Sequence, residues 1–268
     1  MLCKVYYSDI NRPIHKSRKR AILSPFITFS EQGAKHPFVL KYEFVHGGYS
    51  MVFDFKKEYR DIYRPKNKPQ IITIPKVNYI GVRGKGNPNQ EDGEYQQAIR
   101  ILYAVAYTLK MSDKTGYKIE GFFDYVVPPL EGFWWQEKGK EAEYLHKESF
   151  CWISVIRLPD FVTKKDFSWA LDTAEKKKKL DCRKAEYLTI EEGLCVQIMH
   201  HGPFDQESRT IAIMEDYLKE KGYVTDFNQE RLRLHHEIYL SDARRISPEK
   251  WKTGIRNPIK RVLPTDII

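Results

Sequence analysis

Cysteine is scarce in this chain of 268 residues: four thiols, Cys3, Cys151, Cys182 and Cys195, with no C-x-x-C spacing among them. That density excludes a disulfide scaffold and a zinc module built on cysteine pairs. The thiols read as reduced, three of them in or beside apolar stretches, where a cysteine is a small core residue rather than a nucleophile. Long apolar runs are missing as well. None approaches the about 18 residues that a membrane span needs. The start, MLCKVYYSDINRPIHKSRKR, carries charge where a secretory signal needs an apolar core. No membrane partner is therefore expected, and the expected location is cytoplasmic. What is present, 41% hydrophobic, 30% charged and 13% aromatic residues, excludes wholesale disorder and a collagen- or mucin-like chain. The length suits one large domain or two small ones.

The net charge of +9 raises the question of nucleic acid. Residues 1–50 hold eight Lys/Arg against three Asp/Glu, which leaves +4 for the other 218 residues. The excess belongs largely to the N-terminal tail. No helix-turn-helix or RNP-like signature accompanies it, so direct nucleic-acid binding is not expected.

Residues 1–50 show no sustained period and read as an N-terminal extension, weakly ordered or preceding the true start. Met51 opens the patterned part of the chain, and Gly47-Gly48 lies two codons upstream, where GGN codons suit a ribosome-binding sequence. Met51 is thus the expected natural start. From Gln70 the pattern sharpens. QIITIPKVNYIGVRGKG predicts a strand, a polar turn follows, and Tyr95, Ala98, Ile99, Leu102, Val105, Ala106 and Leu109 recur at helical spacing. PPLEGFWW and FCWISVIRLP then predict two strands. Residues 187–258 repeat the order: YLTIEEGLCVQIMHHG as strand, a helix from Pro203 with Ile211, Met214 and Leu218 on its apolar face and Gly222 at its end, then HHEIYLSD and WKTGIRNP as strands.

Two local matches suggest duplication: Trp152–Pro159 against Trp251–Pro258, and Gly116-Tyr117 against Gly222-Tyr223. Counting fifteen residues from each glycine aligns Glu131 with Glu237 and Phe133 with Tyr239. The expected architecture is α+β: a duplicated strand-helix-strand-strand module with pseudo-twofold symmetry, antiparallel sheets with helices packed on one side, and a central ligand cleft. Repeat 1 covers about 70–163, a connecting helix 164–181 and repeat 2 about 185–262, within a domain of residues 51–268. The Lys176–Lys179 run reads as the solvated end of the connecting helix.

Alternation places Glu131 with Phe133 on one strand face, with Trp134 on the other, and pairs Glu237 with Tyr239. A carboxylate partly buried among aromatics has its charged form disfavoured, which suits a base near neutrality or a site for a cationic ligand. The plain alternative is an exposed edge carboxylate or one paired with Arg157 or Arg256. The pairs His200-His201 and His235-His236 offer one ring per face and lack a third ligand in the sequence, so no metal is expected. The segment Val82–Asn89 matches no phosphate-loop pattern and reads as a turn. Ser154 and Ser208 lack a nucleophile elbow, and no cofactor is expected.

IPKVNYIGVRGKGNPN, LYAVAYTLKM, PPLEGFWW, MHHGPFDQE, HHEIYLSD and WKTGIRNPIK together resemble the GyrI-like small-molecule-binding family, over about Met51–Lys260. The resemblance implies an aromatic-lined pocket with a central Glu, for which Glu237 in HEIY fits, and a small aromatic or cationic ligand as partner. A stand-alone protein is implied rather than a regulator, and contact with gyrase by family analogy alone. The PPLEGFWW form further resembles a branch in which some members hydrolyse cyclopropane-bearing DNA-alkylating antibiotics of the yatakemycin type. That branch implies Glu237 as base, Glu131 as a second pocket carboxylate and Tyr239 as donor to a developing oxyanion. Phe133, Trp134, Trp135, Tyr103, Tyr107 and Trp152 are the implied lining. The non-catalytic alternative is a protein that sequesters or senses the ligand.

Overall fold

The computed structural model describes residues 52–136, 147–243 and 245–262. The expectations for residues 1–50 and for Met51 lie outside them. The chain enters through a short strand β1 (Phe53–Asp54) and two single-turn helices, α1 (Phe55–Glu58) and α2 (Arg60–Tyr63). Strand β2 (Gln70–Lys85) leads to helix α3 (Glu94–Lys110), then β3 (Tyr125–Val126), β4 (Leu130–Gln136) and β5 (Phe150–Arg157). Helix α4 (Lys164–Lys178) connects to β6 (Ala185–His201), α5 (Glu207–Lys221), β7 (Tyr223–Thr225), β8 (His235–Tyr239) and β9 (Lys252–Arg261). The mixed α+β architecture is the one expected.

Local chemistry accounts for the helices. All seven residues of the predicted apolar face of α3 are buried, each stabilising the fold by about 1.5–3 kcal/mol if large. Helix α4 begins in a capping box between Thr163 and Asp166 and runs out in its exposed lysines. Gly222 ends α5 in the left-handed region at φ 73°, where a side chain would be strained.

Apart from the parallel pair β1–β3, the strand pairs are antiparallel. β6 pairs with β2, β2 with β5, β5 with β4, β4 with β8, β8 with β9, and β9 returns to β6, so the ladders close a ring of six strands. β7 adds to the end of β9. One strand face turns into the ring, where Val77, Tyr79, Phe133, Ile153, Val155 and Ile190 form a shared core. The other face carries the helices: Trp152, beneath α3, touches Tyr95, and Ile198 and Ile255 pack with Met214 and Leu218 of α5. A ring leaves few unpaired edges, which explains how so strand-rich a chain stays closed to further pairing.

The order β2-α3-β4-β5 recurs as β6-α5-β8-β9, and β4–β8 and β2–β6 join the two series. The alignment of Glu131 with Glu237 needs a correction. Glu131 lies opposite Val155, and the residue opposite Gly254, which corresponds to Val155 in the Trp-to-Arg match, is Ile238. Glu131 therefore matches Ile238, one residue from the count made along the loops. Loops tolerate a one-residue difference in length, but on a strand one residue reverses the face.

Candidate functional site

The seam between the two series is the β4–β8 ladder. There Glu131 faces Ile238, Gly132 faces Glu237, Phe133 faces His236 and Trp134 faces His235. Glu131, Phe133 and His236 consequently point into the ring, whereas Trp134, His235, Glu237 and Tyr239 point out toward the helices. The two carboxylates expected to share a pocket lie on opposite faces of one sheet.

Inside the ring the charges of Glu131, Glu192, His236 and Arg256 stand together. His236 stands between two carboxylates, with Nδ1 3.0 Å from Glu192 Oε2 and Nε2 3.0 Å from Glu131 Oε2, the latter off the ideal hydrogen-bond line. Arg256 donates through Nη1 to Glu192 Oε1 at 3.0 Å and through Nη2 to the Ile62 carbonyl at 2.9 Å. Tyr63 donates to Glu131 Oε1 at 3.1 Å. Burial alone would raise the Glu192 carboxyl, but His236 and Arg256 hold it down at about 2. The same carboxylates outweigh burial at His236 and raise its pKa. Two acids stand against an arginine and an imidazole whose charged form they favour, and this pairing of opposite charges is what lets them survive burial.

On the outer face the chain of contacts runs Trp134–Tyr239–Glu237. The indole Nε1 donates to the Tyr239 hydroxyl at 2.9 Å, and that hydroxyl donates to Glu237 Oε2 at 2.8 Å. Burial first, then the Glu237 charge, push the Tyr239 hydroxyl well above its ordinary pKa, so it stays a donor. Glu237 Oε1 lies 3.3 Å from His235 Nε2, and Nδ1 of that ring sits 2.8 Å from Asn257 Oδ1. Helix α5 brings in Glu207, which is 2% exposed. Burial, followed by the charge of Glu237, the hydrogen bond shared with it and the charge of Asp205, raises the Glu207 carboxyl well above the usual range and favours its protonated form.

Aromatic rings wall this cluster. Tyr95, in the first turn of α3, lies against Trp134 with centroids 5.4 Å apart and against Trp152 at 5.0 Å. Phe204, just before α5, meets Tyr239 at 5.7 Å and Trp251 at 5.1 Å. Gly132 makes the arrangement possible. A Cβ there would stand 2.5 Å from Trp134 Nε1 and 2.9 Å from the Tyr239 hydroxyl, so the indole lies over bare backbone. Gly84 does the same for Trp152, whose ring would be 2.2 Å from its Cβ. The side chain of Glu237 retains 13% exposure and that of His235 18%, so the floor is reached from solvent.

The residues inferred from sequence divide accordingly. Glu237, Tyr239 and Trp134 come together, with Trp152 behind them through Tyr95. Phe133, stacked on His236 at 4.0 Å, and Trp135 lie with the inner core. Tyr103 and Tyr107 stack on each other along α3, with Tyr107 41% exposed. In this structure the Tyr239 hydroxyl directs its hydrogen at Glu237 Oε2. Neither expected arginine pairs with Glu131 or Glu237 among the described contacts; Arg256 serves Glu192, and Arg157 lies over Tyr59 at 4.3 Å. Cys151, Cys182 and Cys195 are buried and form no disulfide among the described residues, as a core role requires. Sequence reasoning missed Glu207, Tyr95 and Asn257. The first two lie in the opening turns of two helices that flank one seam, a relation that only the packing reveals.

The fold places the chain in a small-molecule-binding class. The model of the GyrI-like small molecule binding domain matches residues 67–260, and the chain belongs to that family. Three solved structures of Listeria innocua proteins are similar to it at 43–44% identity, with TM-scores of 0.72, 0.70 and 0.71. Each comparison covers 78% of this chain and 100% of the other. One is described as an uncharacterized conserved protein, the other two as hydrolases. No curated protein matches the chain. Among the described residues no helix is long and apolar enough to cross a membrane.

Proposed function

We propose that the outer face of the β4–β8 seam binds flat aromatic small molecules and adds water to the strained ring of cyclopropane-bearing DNA-alkylating antibiotics. The observation that carries this reading is Glu237: a carboxylate 13% exposed, aimed by the Tyr239 hydroxyl and walled by Trp134, Tyr95 and Phe204. Two relatives at 43–44% identity described as hydrolases support a catalytic rather than a purely binding role.

The residues divide the work as follows. Glu237 takes a proton from a water molecule as the water oxygen bonds to the cyclopropane carbon. The carbon–carbon bond to the spiro centre breaks, its electron pair enters the conjugated dienone, and the phenolate so formed takes a proton from solvent. Glu207 keeps its own proton, so a single negative charge faces the water. Tyr239 and His235 hold the Glu237 carboxylate in place, and the rings stack on the drug.

Incubation of the protein with a spirocyclopropane alkylator, followed by chromatography and mass spectrometry, tests this. Catalytic formation of a water adduct is expected. Unchanged compound that co-elutes with the protein would replace hydrolysis by sequestration, and neither outcome would leave the seam without this substrate class.

A further inference from the structure

Glu207, His235 and Glu237 each offer one ligand atom, all three within 4.8 Å of one another. Three features separate this group from an ordinary acidic cluster. Glu207 is 98% buried, no described donor reaches its Oε1, and the one polar side chain it shares a hydrogen bond with is the neighbouring carboxylate Glu237, the environment a bound cation would relieve. Asn257 Oδ1 can only accept, so His235 donates to it through Nδ1 and turns Nε2 to the Glu237 carboxylate. A histidine whose second nitrogen is fixed by a carbonyl oxygen is the usual orientation of a metal-bound imidazole. Finally, the 3.3 Å between His235 Nε2 and Glu237 Oε1 matches the edge of a tetrahedron. Arms of about 2.0–2.2 Å, the length of zinc bonds to nitrogen and oxygen, put neighbouring ligands about 3.3–3.6 Å apart.

We propose that Glu207, His235 and Glu237 form a binding site for a first-row divalent metal ion of the zinc class, with Asn257 orienting the imidazole. One nitrogen and two carboxylate oxygens suit zinc better than magnesium or calcium, which favour all-oxygen sites. The three come from two elements, β8 and the start of α5, which is why no spacing in the sequence marks them. A fourth position faces the solvent side, where His235 and Glu237 keep their exposure. The site goes beyond the hydrolytic reading and does not depend on it. Because the ion would occupy the carboxylate that the proposed hydrolysis uses, the two are expected to compete.

The test needs no drug. Full-length protein, stripped with a chelator, is titrated with Zn2+ by calorimetry and with Co2+ by visible absorption. Equimolar uptake is expected, with the d–d bands of a low-coordinate site and no thiolate charge-transfer band. Glu207→Gln and His235→Gln should abolish it, Asn257→Ala should weaken it about 10- to 100-fold, and His201→Gln should leave it unchanged. Anomalous scattering from crystals of the zinc-loaded wild type should place the ion between the three side chains, whether or not a variant folds. No saturable uptake, uptake that survives both ligand variants, or an anomalous peak elsewhere would overturn the site. Loss of uptake with hydrolysis intact would discard only the metal, and uptake without hydrolysis only the enzymatic reading.

Discussion

Residues 131 and 132, and 236 and 237, are neighbours in the chain, yet the β4–β8 seam sorts them into two environments built from the same chemistry. Inside the ring, Glu131, Glu192, His236 and Arg256 are buried and balanced in charge. Outside it, Glu237 meets the imidazole of His235, the buried Glu207 lies against Glu237, and solvent reaches His235 and Glu237. Each carboxylate has a tyrosine hydroxyl and an imidazole beside it, so solvent access, 13% of the Glu237 side chain against 1% of that of Glu131, is what distinguishes the one able to meet a ligand from the one that holds the fold.

The largest effect on this contrast should come from Arg256→Ala. Removing the guanidinium leaves Glu192 buried beside unmatched acid, and a loss of about 3–5 kcal/mol is expected in urea denaturation. A loss below 1 kcal/mol, measured in the same way, would show that the inner cluster is not a closed charge balance. On the outer face, Gly132→Ala forces Trp134 or Tyr239 to move and should cost about 1–3 kcal/mol while reducing ligand affinity, read by fluorescence titration. Tyr239→Phe removes the acceptor of Trp134 Nε1 and the donor to Glu237. A stability loss of about 1–2 kcal/mol and slower turnover should follow, and an unchanged rate would deny Tyr239 its positioning role.

The smallest effect is the pH profile of stability. The folded-state pKa of Glu192 is depressed, so its contribution is complete above its ordinary 4.5 and is lost as pH falls toward about 2. His236 is raised, so its contribution is complete below its ordinary 6.5 and is lost as pH rises through the higher folded value. Together they predict greatest stability between pH 4.5 and 6.5. Melting temperatures across pH should show that plateau in the wild type and a flattened acid limb in Glu192→Gln.

Much of this architecture was legible in the residues. The strands from Gln70, Leu130, Phe150 and His235, the apolar face of α3 and the Gly222 cap follow from period and capping, which depend on neighbours in sequence. Alternation also placed Glu131 with Phe133, and Glu237 with Tyr239, on the correct shared faces. The relation between the two strands was not legible, because it depends on a ladder register that loop counting missed by one residue. Closure of the ring is likewise a property of ladders between distant strands. Glu207 escaped notice since nothing local distinguishes an acid in the first turn of a helix from the many that serve the helix dipole. Only the packing of α5 against β6 and β9 brings its first turn, and with it Glu207, beside Glu237.

The central claim is that chemistry belongs to the outer carboxylate and structure to the inner one. Glu237→Gln and Glu131→Gln, each confirmed folded by circular dichroism, should be incubated beside the wild type with a spirocyclopropane alkylator and the water adduct followed by mass spectrometry. The account predicts that Glu237→Gln retains its melting temperature and forms no adduct, while Glu131→Gln melts lower and still turns the compound over. A folded Glu131→Gln without activity beside an active Glu237→Gln would contradict it.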